Sequence, residues 1–245
     1  MNLKLIKNTE NINKEKITLF CLPFAGGGAS AYNQWAKKMQ GKVTVCPVQL
    51  PGREERIMEK PYIDMPVMLD DLEEAVREVV DGPYALWGHS MGGKISYELE
   101  KRLEAEGYRA KYLFISGSRI PSIPEPKPIY HLPDEAFKRE LGRFEGTPKE
   151  ILENQELLDF FLPMLRADFT MDETYYDKAG VVLHFGCVHT LFLFGNRLSG
   201  LFCCSKVLNF CGRKYNPTQL HISGNLHWRI RGFFLYAASD GCSGA

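Results

Sequence analysis

An α/β fold with a mostly parallel sheet and a helical insertion is predicted by three observations. Apolar runs of strand length alternate with amphipathic helical stretches from residue 17 to 117. A Gly-x-Ser-x-Gly turn, Gly88-His89-Ser90-Met91-Gly92, stands between one such run and the helix that follows it. From Leu132 to Tyr176 the strand signals stop and only helical patterns remain. Strands that alternate with helices imply parallel pairing through right-handed crossovers. At 245 residues, 44% of them hydrophobic, the chain suits one domain, residues 1–245, and no linker interrupts residues 17–118.

The elements follow in order. Residues up to Lys16 read as a polar, frayed lead-in. Ile17-Thr18-Leu19-Phe20-Cys21-Leu22 is nearly all apolar, as a strand covered on both faces should be. The loop after it, Pro23-Phe24-Ala25-Gly26-Gly27-Gly28, lets the backbone approach a ligand closely. No Gly-Lys-Ser/Thr follows, which argues against a P-loop. Ser30 is placed as the cap of a helix reaching Met39, with Tyr32, Trp35, Ala36 and Met39 on one face. Val43–Leu50 is the next strand, and Pro51-Gly52-Arg53-Glu54 turns the chain, leaving Arg53 and Arg56 in solvent. Pro66–Val80 reads as a helix with Val67, Leu69, Leu72, Val76 and Val79 or Val80 as its buried stripe.

Tyr84–Trp87 is the strand that enters the serine turn, and the helix beyond it runs to about Glu106 and stops at Gly107. Lys111–Gly117 is another strand. Pro121, Pro124, Pro126 and Pro128 then mark an extended exit. Helices are expected from Asp134, over Pro148–Asn154 and over Glu156–Ala167, so that residues 121–176 form a lid above the strand ends. Such a lid either shapes an acyl or peptidyl channel or only packs. Val188–Phe194 is a strand with His189 inside it, and Thr218–Ile222 is another. The loop Ser223-Gly224-Asn225-Leu226-His227-Trp228 follows.

The serine turn carries the chemistry. A serine hydroxyl is a weak nucleophile unless it is held in the open beside a base. A sharp strand-to-helix turn holds Ser90, and small residues at Gly88 and Gly92 relieve the crowding around it. The Met91 amide, at the start of a helix whose dipole favours negative charge, is one candidate oxyanion donor. The Ala25 amide is the other. His227, on the loop after the last strand, is the first candidate for the base, with His221 second. No metal ligand set and no resident cofactor are expected. Thirty basic and thirty acidic residues leave no net charge, which argues against nucleic acid or an anionic membrane as a partner. No signal-peptide core and no spanning apolar run are visible, and seven cysteines without a Cys-x-x-Cys pair read as reduced thiols, so a cytoplasmic location is expected.

Five segments together carry a resemblance: Pro23-Phe24-Ala25-Gly26-Gly27, Leu50-Pro51-Gly52-Arg53-Glu54, Gly88-His89-Ser90-Met91-Gly92-Gly93, His131-Leu132-Pro133-Asp134 and Pro163-Met164-Leu165-Arg166-Ala167-Asp168. In this order they resemble the type II, or external, thioesterases of nonribosomal peptide and polyketide synthetases, close to those of gramicidin-type antibiotic clusters. The resemblance covers about residues 17 to 195. It implies an α/β-hydrolase fold with a helical lid. It also implies hydrolysis of acyl or aminoacyl thioesters from the phosphopantetheine arm of carrier protein domains, which restores stalled or misprimed synthetases. The substrate then arrives on its partner's arm, and a monomer is expected.

Residues 196–245 depart from that family. An aspartate belongs just after the strand Val188–Phe194, yet Gly195–Cys204 contains no carboxylate. The histidine turn has an extra residue, Leu226, and no closing amphipathic helix is visible in Arg229–Ala245. From Lys178 onward the only acid is Asp240, while five of the seven cysteines fall there. Family-like pieces between acid-free, cysteine-rich ones are what a local shift of reading frame would leave. Asp168, Asp172 or Asp177 could replace the missing acid only if the lid folds inward. Three alternatives stay open: a malonyl-type acyltransferase with a Ser–His dyad, an inactive carrier-protein binding module, and a general carboxylesterase.

Overall fold

The computed structural model describes residues 5–119, 121–142, 144, 153–178, 187–194, 197–204, 227–230 and 233–236. Six strands form the main sheet: β1 (Ile17–Leu22), β2 (Val43–Pro47), β3 (Tyr84–His89), β4 (Tyr112–Ser116), β5 (Cys187–Phe194) and β6 (Arg197–Cys204). Their spatial order is β2-β1-β3-β4-β5-β6. All neighbours pair in parallel except β5 and β6, which are antiparallel with Phe194 opposite Arg197. The first five strands are those expected. β6 was not: the acid-free stretch after Phe194 pairs back along β5. A second, two-stranded sheet joins β7 (His227–Ile230) to β8 (Phe233–Tyr236). The strand expected at Thr218–Ile222 lies outside the described residues.

The apolar run of β1 is explained by what covers it. Phe20 and Leu22 face one side, in a core with Leu69, Leu72 and Val76 of α2 (Met65–Val79) and Ile95 and Leu99 of α3 (Met91–Ala105). Leu19 and Cys21 face the other, with Tyr32, Trp87 and the partly buried Trp35 of α1 (Asn33–Lys38). Alternate residues of a strand point to opposite faces, so both sets must be apolar in a two-sided sheet. Cys21 and Cys46 are free thiols in this interior, and burial pushes the Cys46 thiol up to about 12. They behave there as small apolar side chains.

Four expectations are corrected. The lead-in is anchored rather than frayed: Leu5 and Ile6 are buried, and Ile6 bridges to Val48 beside the end of β2. Two apolar residues in a polar stretch suffice because they cover an otherwise open strand edge. Ser30 does not cap a helix. It lies inside a short 3-10 turn, Ala29–Tyr32, and its hydroxyl donates to Glu54. Val67 is 54% exposed, and Met68 takes its place in the α2 stripe. Asp64 caps that helix by accepting from the Val67 amide, which puts Val67 in the first turn, while Leu69, Leu72 and Val76 are buried as expected. The fourth correction, at Arg53 and Arg56, belongs to the site.

The insertion is helical as expected, with α4 (Asp134–Leu141) and α5 (Gln155–Thr174). α5 continues past Ala167 and is capped by Asn154, which accepts from the Leu157 amide. Residues 148–152, expected to be helical, lie outside the described residues. Phe137, Leu141, Leu158, Leu162, Leu165 and Phe169 form the insertion's own core. Polar ties add to it. Glu173 accepts from the amides of Ile129 and Tyr130, and Arg166 donates to the carbonyls of Tyr130 and Leu132.

At the other end of β3, Glu100 is fully buried between the Tyr84 hydroxyl (2.8 Å) and the Ala110 amide (2.7 Å), and burial raises its carboxyl to about 7. A carboxyl raised on folding from 4.5 to about 7 binds its proton more tightly in the folded chain. Stability should therefore fall as pH rises between those values, by up to about 3 kcal/mol, and Glu100 adds no further slope above them. Glu100→Gln keeps an acceptor for the Ala110 amide and should flatten that slope in urea titrations run from pH 5 to 8. An unchanged slope would remove Glu100 as its source.

Candidate active site

The loop after β1 and the turn after β3 leave adjacent parallel strands at the same end, with Leu22 in register with Gly88. Ser90 occupies the turn at φ 54 and ψ −120, a backbone state that costs a non-glycine residue about 1–3 kcal/mol. Neighbouring bonds hold it there. The Ser90 amide donates to the Ser116 carbonyl at 2.8 Å, and the Gly93 amide donates to the Ser90 carbonyl at 2.9 Å. Ser90 is partly exposed and directly precedes the first residue of α3, Met91.

Glycine is required here by close approach. A Cβ on Gly88 would lie 1.9 Å from the Gly92 carbonyl oxygen, and one on Gly92 would lie 2.5 Å from that of Leu22. Both obstacles are backbone and cannot swing aside. The first turn of α3 is thereby pressed against the end of β1, at the start of the loop that carries Ala25. Among the described residues, no hydrogen bond takes up the Ala25 or Met91 amide. His89 is engaged beside the turn: Nδ1 lies 3.1 Å from Ser116 Oγ, the ring packs edge-on against Phe24, and burial lowers its pKa.

The Gly-rich loop is held by a buried polar network that residue types alone did not reveal. Arg53 and Arg56, expected in solvent, are only 3% and 6% exposed. Arg53 forms a two-pronged pair with Asp168 of α5, Nη2 to Oδ1 at 2.7 Å and Nη1 to Oδ2 at 2.9 Å. The same Nη1 donates to the Gly27 carbonyl at 2.9 Å, while Asp168 Oδ2 accepts from the Gly26 amide at 2.8 Å. Gln49 accepts from the Ala29 amide and donates to the Arg53 carbonyl, and Arg56 donates to the Gln49 carbonyl. Desolvated arginine needs such partners, and a planar guanidinium can meet a carboxylate and a carbonyl at once. The signal is present in the sequence: Arg53 and Asp168 both fall in segments that carry the resemblance, but residue types alone do not pair them.

The three aspartates considered as replacement acids are engaged elsewhere. Asp168 serves Arg53 and the Gly26 amide. Asp172 lies 3.0 Å from the Lys94 ammonium. Asp177 accepts from the Tyr97 hydroxyl and from Lys101. His227 opens β7 opposite Tyr236 rather than lying on a loop. Residues 227–230 and 233–236 are rich in aromatic and branched side chains, which favours the paired strand. The side chain of His227 and all of His221 lie outside the described residues. Among the described residues no cluster of His, Cys, Asp and Glu could hold a metal ion, and no helix is long and apolar enough to cross a membrane.

A family model for the thioesterase domain matches residues 17–193. The chain belongs to the thioesterase family. It is 45% identical over 165 residues to linear gramicidin dehydrogenase LgrE of Brevibacillus parabrevis, covering 65% of this chain and 63% of that protein. It is 40% identical over 171 residues to gramicidin S biosynthesis protein GrsT of Aneurinibacillus migulanus, covering 69% and 67%. Among solved structures it resembles the type II thioesterase BorB from the borrelidin biosynthetic cluster, with a TM-score of 0.68, 33% identity and 76% of each chain covered. The match thus spans about two thirds of the length of these relatives, and the fold of this thioesterase chain is that of the α/β-hydrolases.

The packing of the turn makes a direct prediction. Gly88→Ala should destabilise the thioesterase fold by about 2 kcal/mol or more, since the new methyl meets backbone on a buried face. The urea midpoint of the variant checks this. An unchanged midpoint would mean that the turn is looser than its contacts imply.

Proposed function

We propose that this chain is a serine thioesterase that releases acyl or aminoacyl groups from phosphopantetheinyl carrier protein domains of a nonribosomal peptide synthetase. The observation that carries the reading is Ser90, held in a strained strand-to-helix turn at the start of α3 in a chain of the thioesterase family. The kinship with gramicidin-cluster proteins and with BorB supports the carrier-bound substrate.

In this mechanism Ser90 Oγ attacks the thioester carbonyl carbon and gives its proton to a base, for which His227 is the candidate. Negative charge moves onto the carbonyl oxygen, where the Met91 and Ala25 amides receive it. Reforming the carbonyl breaks the carbon–sulfur bond, and the pantetheine thiol leaves with the proton. Water then gives a proton to the same base, attacks the acyl-serine ester and frees the acid and Ser90. Thiols leave readily, so a Ser–His pair without a third carboxylate can retain turnover. In a full triad the loss of that acid costs about 10⁴ in kcat, so this chain is expected to be slow.

The test is single-turnover release of radiolabelled acetyl from a phosphopantetheinyl carrier protein. The chain should release it, and Ser90→Ala should lower the rate by at least about 10³-fold. His227→Ala should reduce it comparably. Binding of acyl-carrier protein with no Ser90-dependent release would instead make the chain a binding module. Faster transfer to an added thiol than to water would make it an acyltransferase.

A further inference from the structure

α5 touches both halves of the proposed oxyanion site through two carboxylates one helical turn apart. Residues four apart share a helix face. Asp168 reaches the loop that contains Ala25: it accepts from the Gly26 amide at 2.8 Å and pairs with Arg53, which in turn donates to the Gly27 carbonyl at 2.9 Å. The loop is thus held at the Gly26 N–H, in the peptide that follows Ala25, and at the Gly27 C=O by one buried ion pair. α5 also lies directly over this loop, since a Cβ on Gly26 would stand 2.9 Å from Leu165 Cδ2. Asp172 reaches the other half. Lys94, in the first turn of α3 and only 3% exposed, donates to the Asp172 carbonyl at 2.6 Å and lies 3.0 Å from its carboxylate.

We infer that α5 is a clamp that sets the separation and aim of the Ala25 and Met91 amides, with Asp168, Arg53, Lys94 and Asp172 as its positioning residues. This rests on the serine thioesterase reading above. The physical argument is one of leverage. The Ala25 amide sits in neither a hydrogen-bonded sheet nor a helix, and the Met91 amide stands at the very start of α3, so its aim follows the placement of that first turn. Gly26 to Gly28 have no side chains with which to fix their own loop. Besides the turn bond from the Gly27 amide to the Phe24 carbonyl, the groups that hold the Gly26 and Gly27 backbone are Asp168 on α5 and the arginine it pairs with. Donors that stabilise developing charge must be in place before the reaction, because reorienting them during it forfeits the benefit. A clamp of this kind should act on the transition state and leave binding of the ground-state thioester nearly unchanged.

The test compares wild type, Asp168→Asn, Arg53→Lys, Lys94→Met and Ser90→Ala. Three probes are used: an acyl-pantetheine thioester substrate, a trifluoromethyl ketone with the same acyl chain, and the matching unreactive amide. The ketone becomes a tetrahedral oxyanion on Ser90, and the amide reports ground-state binding. Asp168→Asn should lower kcat roughly 100-fold with KM within about twofold, weaken the ketone in parallel, and leave the amide unaffected. Arg53→Lys, which keeps the charge but not the fork, should recover part of the loss.

If Asp168→Asn does not fold, Lys94→Met carries the same test with the buried Arg53–Asp168 pair intact. A folded Asp168→Asn or Lys94→Met with wild-type kcat would overturn the clamp. So would equal weakening of ketone and amide, which marks general damage to the pocket. Turnover that survives Ser90→Ala would instead overturn the serine reading, and this inference with it.

Discussion

The buried ion pair between Arg53 and Asp168 is the constraint on which the site depends. It joins residues 115 apart in sequence and ties three segments that no regular element connects: the loop after β1, the turn after β2 and the helix α5 of the insertion. Removing both charges from water is costly, and a buried pair of this kind adds little net stability compared with apolar packing. Its effect lies in geometry. With both carboxylate oxygens and two of the guanidinium nitrogens committed, the arrangement has few alternatives, and the Gly-rich loop inherits that definition. Breaking one partner would leave a bare charge in the interior, a loss of about 3–5 kcal/mol in comparable sites.

The nucleophile turn follows a different logic. Ser90 is strained locally, and the strain is held by parallel strands on either side of β3 and by glycines that let α3 close against β1. Strain is retained only where the surroundings over-determine it. Here the surroundings are regular: β1, β3 and β4 in continuous register, covered on both faces by apolar side chains. A regular sheet thus presents a high-energy turn, and the helical insertion is tied to the Gly-rich loop by charge. The two halves of the site are positioned by unlike forces, packing for Ser90 and directed polar contacts for the loop that carries Ala25.

Much of this was legible in the residues. Apolar runs separated by amphipathic helices, punctuated by Gly107 and the proline-rich exit, located β1 to β5, α2, α3 and the start of the insertion, because hydrophobic periodicity records which faces are covered. The errors also have causes. Val67 is exposed because the apolar face of α2 runs through Met65, Met68, Leu69, Leu72 and Val76, and Val67 in the first turn lies off it. Leu5 and Ile6 were overlooked because their burial comes from an open edge near β2 and not from their own neighbours in sequence. β6 arose where the segment after Phe194 departs from the family's pattern, so the resemblance offered no guide to it.

Element order and the serine turn point to the parallel α/β architecture, the helical insertion and Ser90 as the candidate nucleophile, and the resemblance of five segments points to the thioesterase family. These are encoded locally: a strand, a helix and a Gly-x-Ser-x-Gly turn are each written in consecutive residues. The fate of Arg53, Asp168, Lys94 and Asp172 was not encoded in that way. A charged side chain reads as solvated until its partner is known, and these partners sit on segments brought together only when the insertion folds over the sheet. Local chemistry therefore names the nucleophile, whereas the groups that hold its surroundings emerge from long-range contacts, because burial makes an ion pair specific only after the chain has closed around it.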